Sequence, residues 1–171
     1  MAVVYLGLGS NIGDRKKYLI DALEELQQAG LAIDTVASLY VSRALWFEGA
    51  EFYNTVARLS TKLDPYQLLT VVQAVEEKMG RMRSAEGYAD RTLDIDILLY
   101  DDMVFSASDL TIPHRAIGQR DFVLAPLVSI DAKVMDPMFD QEFAAVLEAL
   151  PEEQRTILEV IHGWYEVPVI K

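Results

Sequence analysis

The chain has 171 residues, of which 51% are hydrophobic and 25% charged, the composition of a folded globular protein rather than a disordered one. It contains no cysteine, which excludes disulfides, thiolate metal ligands and a thiol nucleophile. The net charge of −12 argues against a protein built to coat nucleic acid or an anionic membrane, and no apolar run is long enough to span a bilayer.

The first part of the chain predicts a strand, a helix and two further strands. An apolar run from Val3 to Leu8 predicts a buried strand that ends at the sequence GSN. A helix follows, with Asp14 as its N-cap and Gly30 at its end. Its apolar stripe consists of Leu19, Ala22, Leu23 and Leu26. β-Branched and aromatic residues then predict strands over 32–41 and 52–61, with a loop between them.

A second helix is indicated by a capping box. Asp64 is placed to cap it, Pro65 occupies its first position, and Gln67 can reach back to the cap. The apolar stripe of this helix consists of Leu68, Val72, Val75 and Met79, and Gly80 follows it. After a polar loop, the segment RTLDIDILLY (91–100) predicts the next strand.

The last third of the chain predicts two helices and an extension. Residues 121–130 and 142–150 have helical patterns, and the tail RTILEVIHGWYEVPVIK (155–171) predicts either an added strand or a partner surface. The order of the main elements is that of a ferredoxin-like α+β domain, in which helices cover one face of an antiparallel sheet. We therefore expect one domain over 1–171. The start carries no basic leader, so a cytoplasmic location is expected, and the oligomeric state stays open.

Two aspartates lie two positions apart in the otherwise apolar strand RTLDIDILLY. Successive side chains of a strand point to opposite faces, so Asp94 and Asp96 share one face and the apolar residues the other. At the rise of a strand the two carboxylates are about 7 Å apart, where like charges repel. Either a cation lies between them or that face is open to water.

Basic residues are concentrated just before this strand. Lys78, Arg81, Arg83 and Arg91 fall within fourteen positions, and His114 and Arg120 follow downstream. An acidic protein that gathers its arginines in one place is suited to bind a small anion, and the guanidinium fork matches phosphate oxygens. The alternative is a solvated loop with scattered charge.

The paired aspartates and the basic residues beside them are suited to metal-assisted phosphoryl transfer. Gln73 and Glu76 share a polar face of the second helix, which leads directly into the arginine-bearing loop. Mg²⁺ accepts one or two carboxylates and fills its shell with water and substrate phosphate. The chain has no GxxxxGK[ST] pattern, which excludes a P-loop enzyme. The alternatives are exposed aspartates on an edge strand and a structural histidine at His114.

The motifs together resemble the family of 6-hydroxymethyl-7,8-dihydropterin pyrophosphokinases of the folate pathway. They are GLGSN, FYN, GRxR before RTLDIDILLY, and LTIPH followed by RDFVLAPL, and the similarity runs from about Val3 to Leu127. The resemblance implies that ATP donates its β,γ-diphosphate to the hydroxymethyl group of a reduced pterin and releases AMP. Both partners are then small molecules, ATP and a dihydropterin.

The resemblance also implies roles for individual residues. Two Mg²⁺ ions would be held by Asp94 and Asp96, with Arg81 and Arg91 assisting the transfer. The residues implied for ATP binding are Gln73, Glu76, Arg83, Ile97, Thr111, His114 and Arg120. Those implied for the pterin are Asn11, Ser42, Leu45, Phe52, Asn54, Tyr88 and Phe122. The pterin ring would lie between Phe52 and Phe122, with Asn54 bonding to its polar edge.

The chain departs from the usual family pattern at two places. Where the family has T-x-P-x-G, this chain reads SRALW over 42–46, so we expect a different loop conformation, because Pro restricts φ and Gly permits positive φ. Where the family commonly has GP before RTLD, this chain has Tyr88-Ala89-Asp90, which adds a negative charge beside Arg91.

Two alternatives to an active enzyme are open from the sequence. One is a nucleotide- or pterin-binding relative that has lost turnover. The other is an RNA-binding module, since ferredoxin-like sheets often present aromatic residues to bases, although the acidic charge and the lack of an RNP-like run disfavour it.

Overall fold

A computed structural model describes residues 1–44, 50–80 and 93–168. The strands and helices in chain order are β1 (Ala2–Ser10), α1 (Arg15–Gln28), β2 (Ala32–Val36), β3 (Leu39–Ser42), β4 (Phe52–Thr61), α2 (Pro65–Lys78), β5 (Asp94–Tyr100), β6 (Phe105–Ser106), β7 (Thr111–Ile112), α3 (Asp121–Ile130), β8 (Met135–Asp136), β9 (Gln141–Glu142), α4 (Phe143–Glu148) and β10 (Ile157–Ile161).

An antiparallel sheet of six strands forms the framework. Its order is β10-β3-β4-β1-β5, with β2 paired to the far half of β4. β1 lies between β4 and β5, and it pairs with both along most of its length. Strands β6 with β7 and β8 with β9 form two small hairpin-like ladders. In the part of the chain that the structure describes, no helix is long and apolar enough to cross a membrane.

Local capping begins the first two helices where the sequence predicts. The Asp14 carboxylate accepts the backbone N–H of Lys17 at 3.1 Å at the start of α1. At the start of α2, the Asp64 carboxylate accepts the N–H of Gln67 at 2.8 Å, and the Gln67 side chain accepts the N–H of Asp64 at 3.0 Å. The predicted capping box is therefore confirmed, and it satisfies N–H groups that have no partner within the helix.

Helices pack on both faces of the sheet, and not on one face as expected. Alternate residues of β1 separate the two layers, because Leu6 faces α1 and α2 whereas Tyr5 faces α3 and α4. The first layer buries the apolar stripes of α1 and α2, including Leu23 and Leu68. The second buries residues of α3 and α4, including Leu124 and Phe143. The first two helices obey the expected arrangement, and the chain after β5 adds the second layer.

Three predicted elements have different bounds in the structure. The strand expected over 32–41 is two strands, β2 and β3, which are separated at Ala37 and Ser38 and both pair with β4. The strand expected from Arg91 is observed from Asp94, and Arg91 lies outside the described residues. The helix expected over 142–150 is the shorter α4. The helix expected over 121–130 is confirmed as α3.

The C-terminal tail adds an edge strand to the sheet. β10 pairs antiparallel with β3, so the added-strand interpretation of the tail is the correct one. Beyond it, the buried Trp164 donates its indole N–H to the carbonyl of Ala37 at 2.8 Å. The tail therefore packs against the domain over residues 155–165, and Ile161, Tyr165 and Val167 reach the layer formed by α1 and α2.

Candidate active site

The two aspartates of β5 lie opposite two glycines of β1. Asp94 pairs with Gly9 and Asp96 with Gly7, while the intervening Ile95 is buried in the core. The predicted sharing of a face is therefore confirmed, and both carboxylates are half-buried. Because glycine has no side chain, β1 places nothing beside the carboxylates on that face. We call this glycine-bearing face with its two carboxylates the recess; the Leu98 side chain borders it, 3.4 Å from where a Cβ at Gly7 would stand.

A bulge in β5 limits the strict alternation to the part that bears the aspartates. The register shifts between Tyr5 and Leu6 of β1, so that Leu99 pairs with Tyr5 and Ile97 with Leu6. Leu98 is the extra residue, and both Leu98 and Leu99 belong to the layer under α3. From the bulge onward, Leu98 and Leu99 of β5 contribute to the core. Before the bulge, one face of the strand carries the two carboxylates.

His114 lies beside Asp96, as the sequence predicts for a shared site. Its Nε2 is 3.6 Å from Asp96 Oδ1, and its backbone N–H donates to the carbonyl of Leu98 in β5. The N–H of Ala116 donates to Nδ1 of the ring at 3.2 Å. Since Nδ1 accepts a hydrogen bond, the neutral ring carries its proton on Nε2, which faces the carboxylate.

The residues predicted to bind the pterin, the acceptor of the diphosphate, lie across β1 from the aspartates. We call them the acceptor side of the site. Asn54 of β4 pairs with Gly9 and donates its amide N–H to the hydroxyl of Ser42 at 2.8 Å and to the carbonyl of Tyr40 at 3.3 Å. A Cβ at Gly9 would stand 3.0 Å from Asn54 Oδ1 and 3.8 Å from a ring carbon of Phe52. Gly9 therefore joins the two halves, with Asp94 on one side and Asn54 on the other.

Two further predicted pterin residues border this half. Asn11 is buried and donates its amide N–H to the carbonyl of Ala50 at 3.2 Å. Phe122 is half-buried in the first turn of α3, and the guanidinium carbon of Arg120 lies 5.7 Å from its ring centroid. A half-buried aromatic face and a hydrogen-bonded amide are the kinds of group that suit a flat polar heterocycle.

The remaining predicted ATP residues have different surroundings. Glu76 is 4% exposed, and its carboxylate accepts the backbone N–H of Ile95 at 2.9 Å, which fixes α2 to the edge of β5. Ile97 is 5% exposed in the core. Gln73 is half-buried on α2, and the hydroxyl of Thr111 lies 3.5 Å from the carbonyl of Ala107. Their nucleotide contacts stay predictions.

The basic loop cannot be compared with its prediction. Five predicted site residues lie outside the described part of the chain: Leu45, Arg81, Arg83, Tyr88 and Arg91. Lys78, the first residue of the predicted basic cluster, forms an ion pair with Glu25 of α1 at 2.9 Å, so it joins the two helices.

The glycines of β1 were missed as contributors to the site. The sequence signal was present, because Gly7 and Gly9 are two apart in an apolar strand, which is the spacing of Asp94 and Asp96. Glycine in the interior of a strand weakens it and often marks the close approach of a ligand. What the sequence does not give is the register that places each glycine opposite an aspartate.

A donor set of two carboxylates suits Mg²⁺. This ion commonly binds through one or two protein carboxylates and completes its shell with water and phosphate oxygens. Among the described residues, no group of three or more His, Asp or Glu side chains converges as a complete protein cage. The half-buried pair over the glycines therefore fits an ion that takes its other ligands from a substrate and from water.

Known proteins resemble the chain in sequence and in fold. The family model described as 7,8-dihydro-6-hydroxymethylpterin-pyrophosphokinase (HPPK) matches residues 5–132. The chain is 41% identical over 140 residues to the 2-amino-4-hydroxy-6-hydroxymethyldihydropteridine pyrophosphokinase of Aquifex aeolicus, covering 81% of this chain and 86% of that one. It is 34% identical to the folic acid synthesis protein fol1 of Pneumocystis carinii, over 86% of this chain and 20% of that longer protein.

The fold is shared with longer chains of known structure. The wild-type HPPK-DHPS of Plasmodium falciparum matches with a TM-score of 0.67 and 14% identity, covering 86% of this chain and 44% of that one. At that identity the likeness concerns the fold alone, and the chain spans less than half of the longer protein.

Proposed function

Because the chain belongs to the 7,8-dihydro-6-hydroxymethylpterin-pyrophosphokinase family, we propose that the recess over Gly7 and Gly9 is where it transfers diphosphate from ATP to a pterin. The family assigns the chain to the pyrophosphokinases of folate biosynthesis, with ATP as co-substrate. The observation that carries the proposal is the pairing of Asp94 and Asp96 with the two glycines, with His114 beside Asp96.

The reaction requires alignment and neutralisation of charge. The hydroxymethyl oxygen of the pterin attacks the β-phosphorus of ATP and loses its proton. The bond from that phosphorus to the α,β-bridging oxygen breaks, and AMP leaves with the bridging oxygen. Such transfers depend chiefly on positioning and on electrostatic stabilisation, so the chain must hold two substrates in line across the recess.

We assign the metal side of the recess to Asp94 and Asp96. These carboxylates would hold Mg²⁺, two ions by the family resemblance, and bound Mg²⁺ supplies positive charge to the ATP phosphates. His114 lies beside the Asp96 carboxylate, with its Nε2 3.6 Å from Asp96 Oδ1. Arg81, Arg83 and Arg91 stay the predicted phosphate ligands, and Arg120, Gln73 and Thr111 predicted nucleotide contacts.

We assign the acceptor side to the residues around Asn54. Its amide is held by Ser42 and Tyr40, so the side chain presents a fixed oxygen near Gly9. Phe52 and Phe122, both half-buried, would supply the faces that hold the pterin ring. In this arrangement Gly9 separates the pterin-reading amide from Asp94, and the hydroxymethyl group can approach the phosphates over the glycine.

The proposal also includes the fold type, the number of domains and the cellular location. The element order from β1 to β5 is strand–helix–strands–strand–helix–strand, and the sheet order β3-β4-β1-β5 supports a ferredoxin-like label for this part of the chain. Residues 1–171 are proposed as one domain, since the tail adds a strand to the same sheet. A cytoplasmic location stays the expectation drawn from the sequence.

The direct test follows the β-phosphorus of ATP. ATP labelled at that position is incubated with Mg²⁺ and protein, with and without 6-hydroxymethyl-7,8-dihydropterin, and the products are separated. We expect the label in the pterin product, together with an equal amount of AMP. Label in ADP would contradict diphosphate transfer. Binding of ATP with no pterin-dependent product would favour the non-catalytic alternative.

A further inference from the structure

A buried carboxylate at the start of α3 holds the C-terminal tail. Asp121 is 3% exposed, and its carboxylate accepts three hydrogen bonds from two consecutive residues of the tail. Thr156 donates its backbone N–H and its hydroxyl, each at 2.6 Å, and Ile157 donates its N–H at 3.1 Å. We call this contact the Asp121–Thr156 clasp.

The clasp joins the two elements that border the acceptor half of the site. Asp121 lies between Arg120 and Phe122, so it fixes the turn of α3 that carries the Phe122 ring. On its other side, the carbonyl of Thr156 accepts the N–H of Arg43 at 3.1 Å, and Ile157 pairs with Ser42 at the end of β3. Thr156 therefore contacts α3 through its donors and β3 through its carbonyl.

On its β3 side, the clasp is connected to Asn54 through Ser42. The hydroxyl of Ser42 accepts the Asn54 amide, and Phe52 pairs with Ser42 across β3 and β4. The Arg43 guanidinium also lies near tail carbonyls, at 3.5 Å from that of Glu153 and 3.4 Å from that of Arg155. A shift of the tail would thus move the end of β3 relative to α3.

Stability alone gives a weak reason for this chemistry. Burying a carboxylate is costly, and apolar side chains of similar volume at such positions are often as stabilising. What hydrogen bonds to a charged group provide is a fixed geometry. The tail lies beyond residue 132, where the match to the family model ends, so the element that donates to Asp121 is an addition to the matched region.

We propose that Asp121 and Thr156 are positioning residues for the pterin, acting through Phe122 on one side and Ser42 and Asn54 on the other. The clasp fixes the position of the Phe122 ring relative to Phe52 and Asn54, the residues between which the pterin is proposed to lie. This inference rests on the proposed function, because it names the pterin as the ligand bound there.

The test compares a variant that lacks the donor with one that keeps it. Thr156→Val removes the hydroxyl at nearly constant volume, and Thr156→Ser retains it. We expect Thr156→Val to raise the KM for the pterin about five- to tenfold, the scale of one typical intramolecular hydrogen bond, with kcat at saturating pterin and the KM for ATP within about twofold. Thr156→Ser should restore the KM for the pterin.

A control variant separates positioning from stability. Trp164→Phe removes the hydrogen bond from the same tail to Ala37 at the opposite end of β3. We expect it to lower the Tm by an amount similar to Thr156→Val while leaving the KM for the pterin unchanged. Asp121→Asn provides a second disruption of the clasp, and the Thr156 pair carries the test if that variant does not fold.

The outcomes distinguish this inference from the proposed function. An active wild type whose KM for the pterin is the same in Thr156→Val would overturn the clasp and leave the function intact. An equal rise of that KM in Trp164→Phe would also overturn it, since instability would then be the cause. A wild type that neither turns over nor binds the pterin, by titration calorimetry, would contradict both.

Discussion

Gly9 is the residue at which the two halves of the site meet. It pairs with Asp94 on one side and Asn54 on the other, and its missing side chain makes room for the Asn54 amide oxygen. The sequence contains this feature as an alternation of Leu and Gly. The register of β1 with β4 and β5 decides which residues lie opposite these glycines. That register is set by the whole sheet and cannot be read from the local sequence.

A methyl group at Gly9 should disturb the acceptor side. In Gly9→Ala the new Cβ would stand 3.0 Å from Asn54 Oδ1, closer than almost all such contacts, so the amide must move. We expect the KM for the pterin to rise about tenfold, on the scale of one misplaced hydrogen-bonding group, with a smaller change in the KM for ATP. Steady-state kinetics with each substrate varied in turn provide the measurement.

Gly118→Ala is the matched control for this change. A Cβ at Gly118 meets only a Val146 methyl carbon, at the ordinary distance of 3.8 Å, and Gly118 does not have a positive φ. We expect its kinetics to equal those of the wild type. If Gly9→Ala also behaved as the wild type, the close approach of Asn54 to Gly9 would have no part in binding the pterin.

At the scale of elements, sequence signals were sufficient wherever the cause was local. The caps of α1 and α2 and the shared face of Asp94 and Asp96 follow from side chains within a few residues. The break between β2 and β3 does not. The carbonyl of Ala37 accepts hydrogen bonds from Thr55 and Trp164, which are distant in sequence, and the residues that flank the break include good strand formers.

A buried carboxylate of α2 binds the backbone of β5 at the edge of the sheet. β5 is an edge strand, and the Glu76 carboxylate satisfies the N–H of Ile95 on the side away from β1. The family resemblance implies that Glu76 lies near ATP, which stays a prediction. The structure gives it a second role, since it holds the strand that carries both aspartates.

Loss of this carboxylate should destabilise the fold. Glu76→Ala leaves a buried N–H without this acceptor, so we expect the free energy of unfolding to fall by about 1–3 kcal/mol. Glu76→Gln retains an oxygen acceptor and should cost less. Urea unfolding of both variants is the measurement, with the exposed neighbour in Glu77→Ala as the control. Equal losses in Glu76→Ala and Glu77→Ala would contradict the role of the Ile95 contact.

At the scale of the whole molecule, the site lies where the second helical layer ends. α3 and α4 cover the face of the sheet at Tyr5, Val56, Leu98 and Leu99. Further along the same face come Gly7 and Gly9 with their paired aspartates. The expectation of helices on one face could not reveal this boundary, because the packing partner of a helix is a property of the complete chain.

The resemblance in sequence grouped residues that the fold pattern alone does not connect. Motif order brought Asp94, Asp96, His114, Asn54 and Ser42 into one prediction, and the structure brings these residues to one face of the sheet. The tail could not be assigned in this way. Its attachment to β3 and to Asp121 requires the sheet edge and the start of α3 to be in place, and neither is visible in the tail itself.

We propose that the carboxylates over the glycines hold Mg²⁺ for diphosphate transfer. The rate of AMP formation by the Asp94→Ala variant tests this proposal. The pterin-dependent rate is measured over a range of Mg²⁺ concentrations, with Asp102→Ala as a control that removes an exposed carboxylate and changes the net charge equally. We predict that Asp94→Ala lowers kcat about 100-fold or more, the scale of a lost electrostatic group in an active site, and that Asp102→Ala matches the wild type. An Asp94→Ala enzyme within about twofold of the wild type at every Mg²⁺ concentration would contradict the proposal.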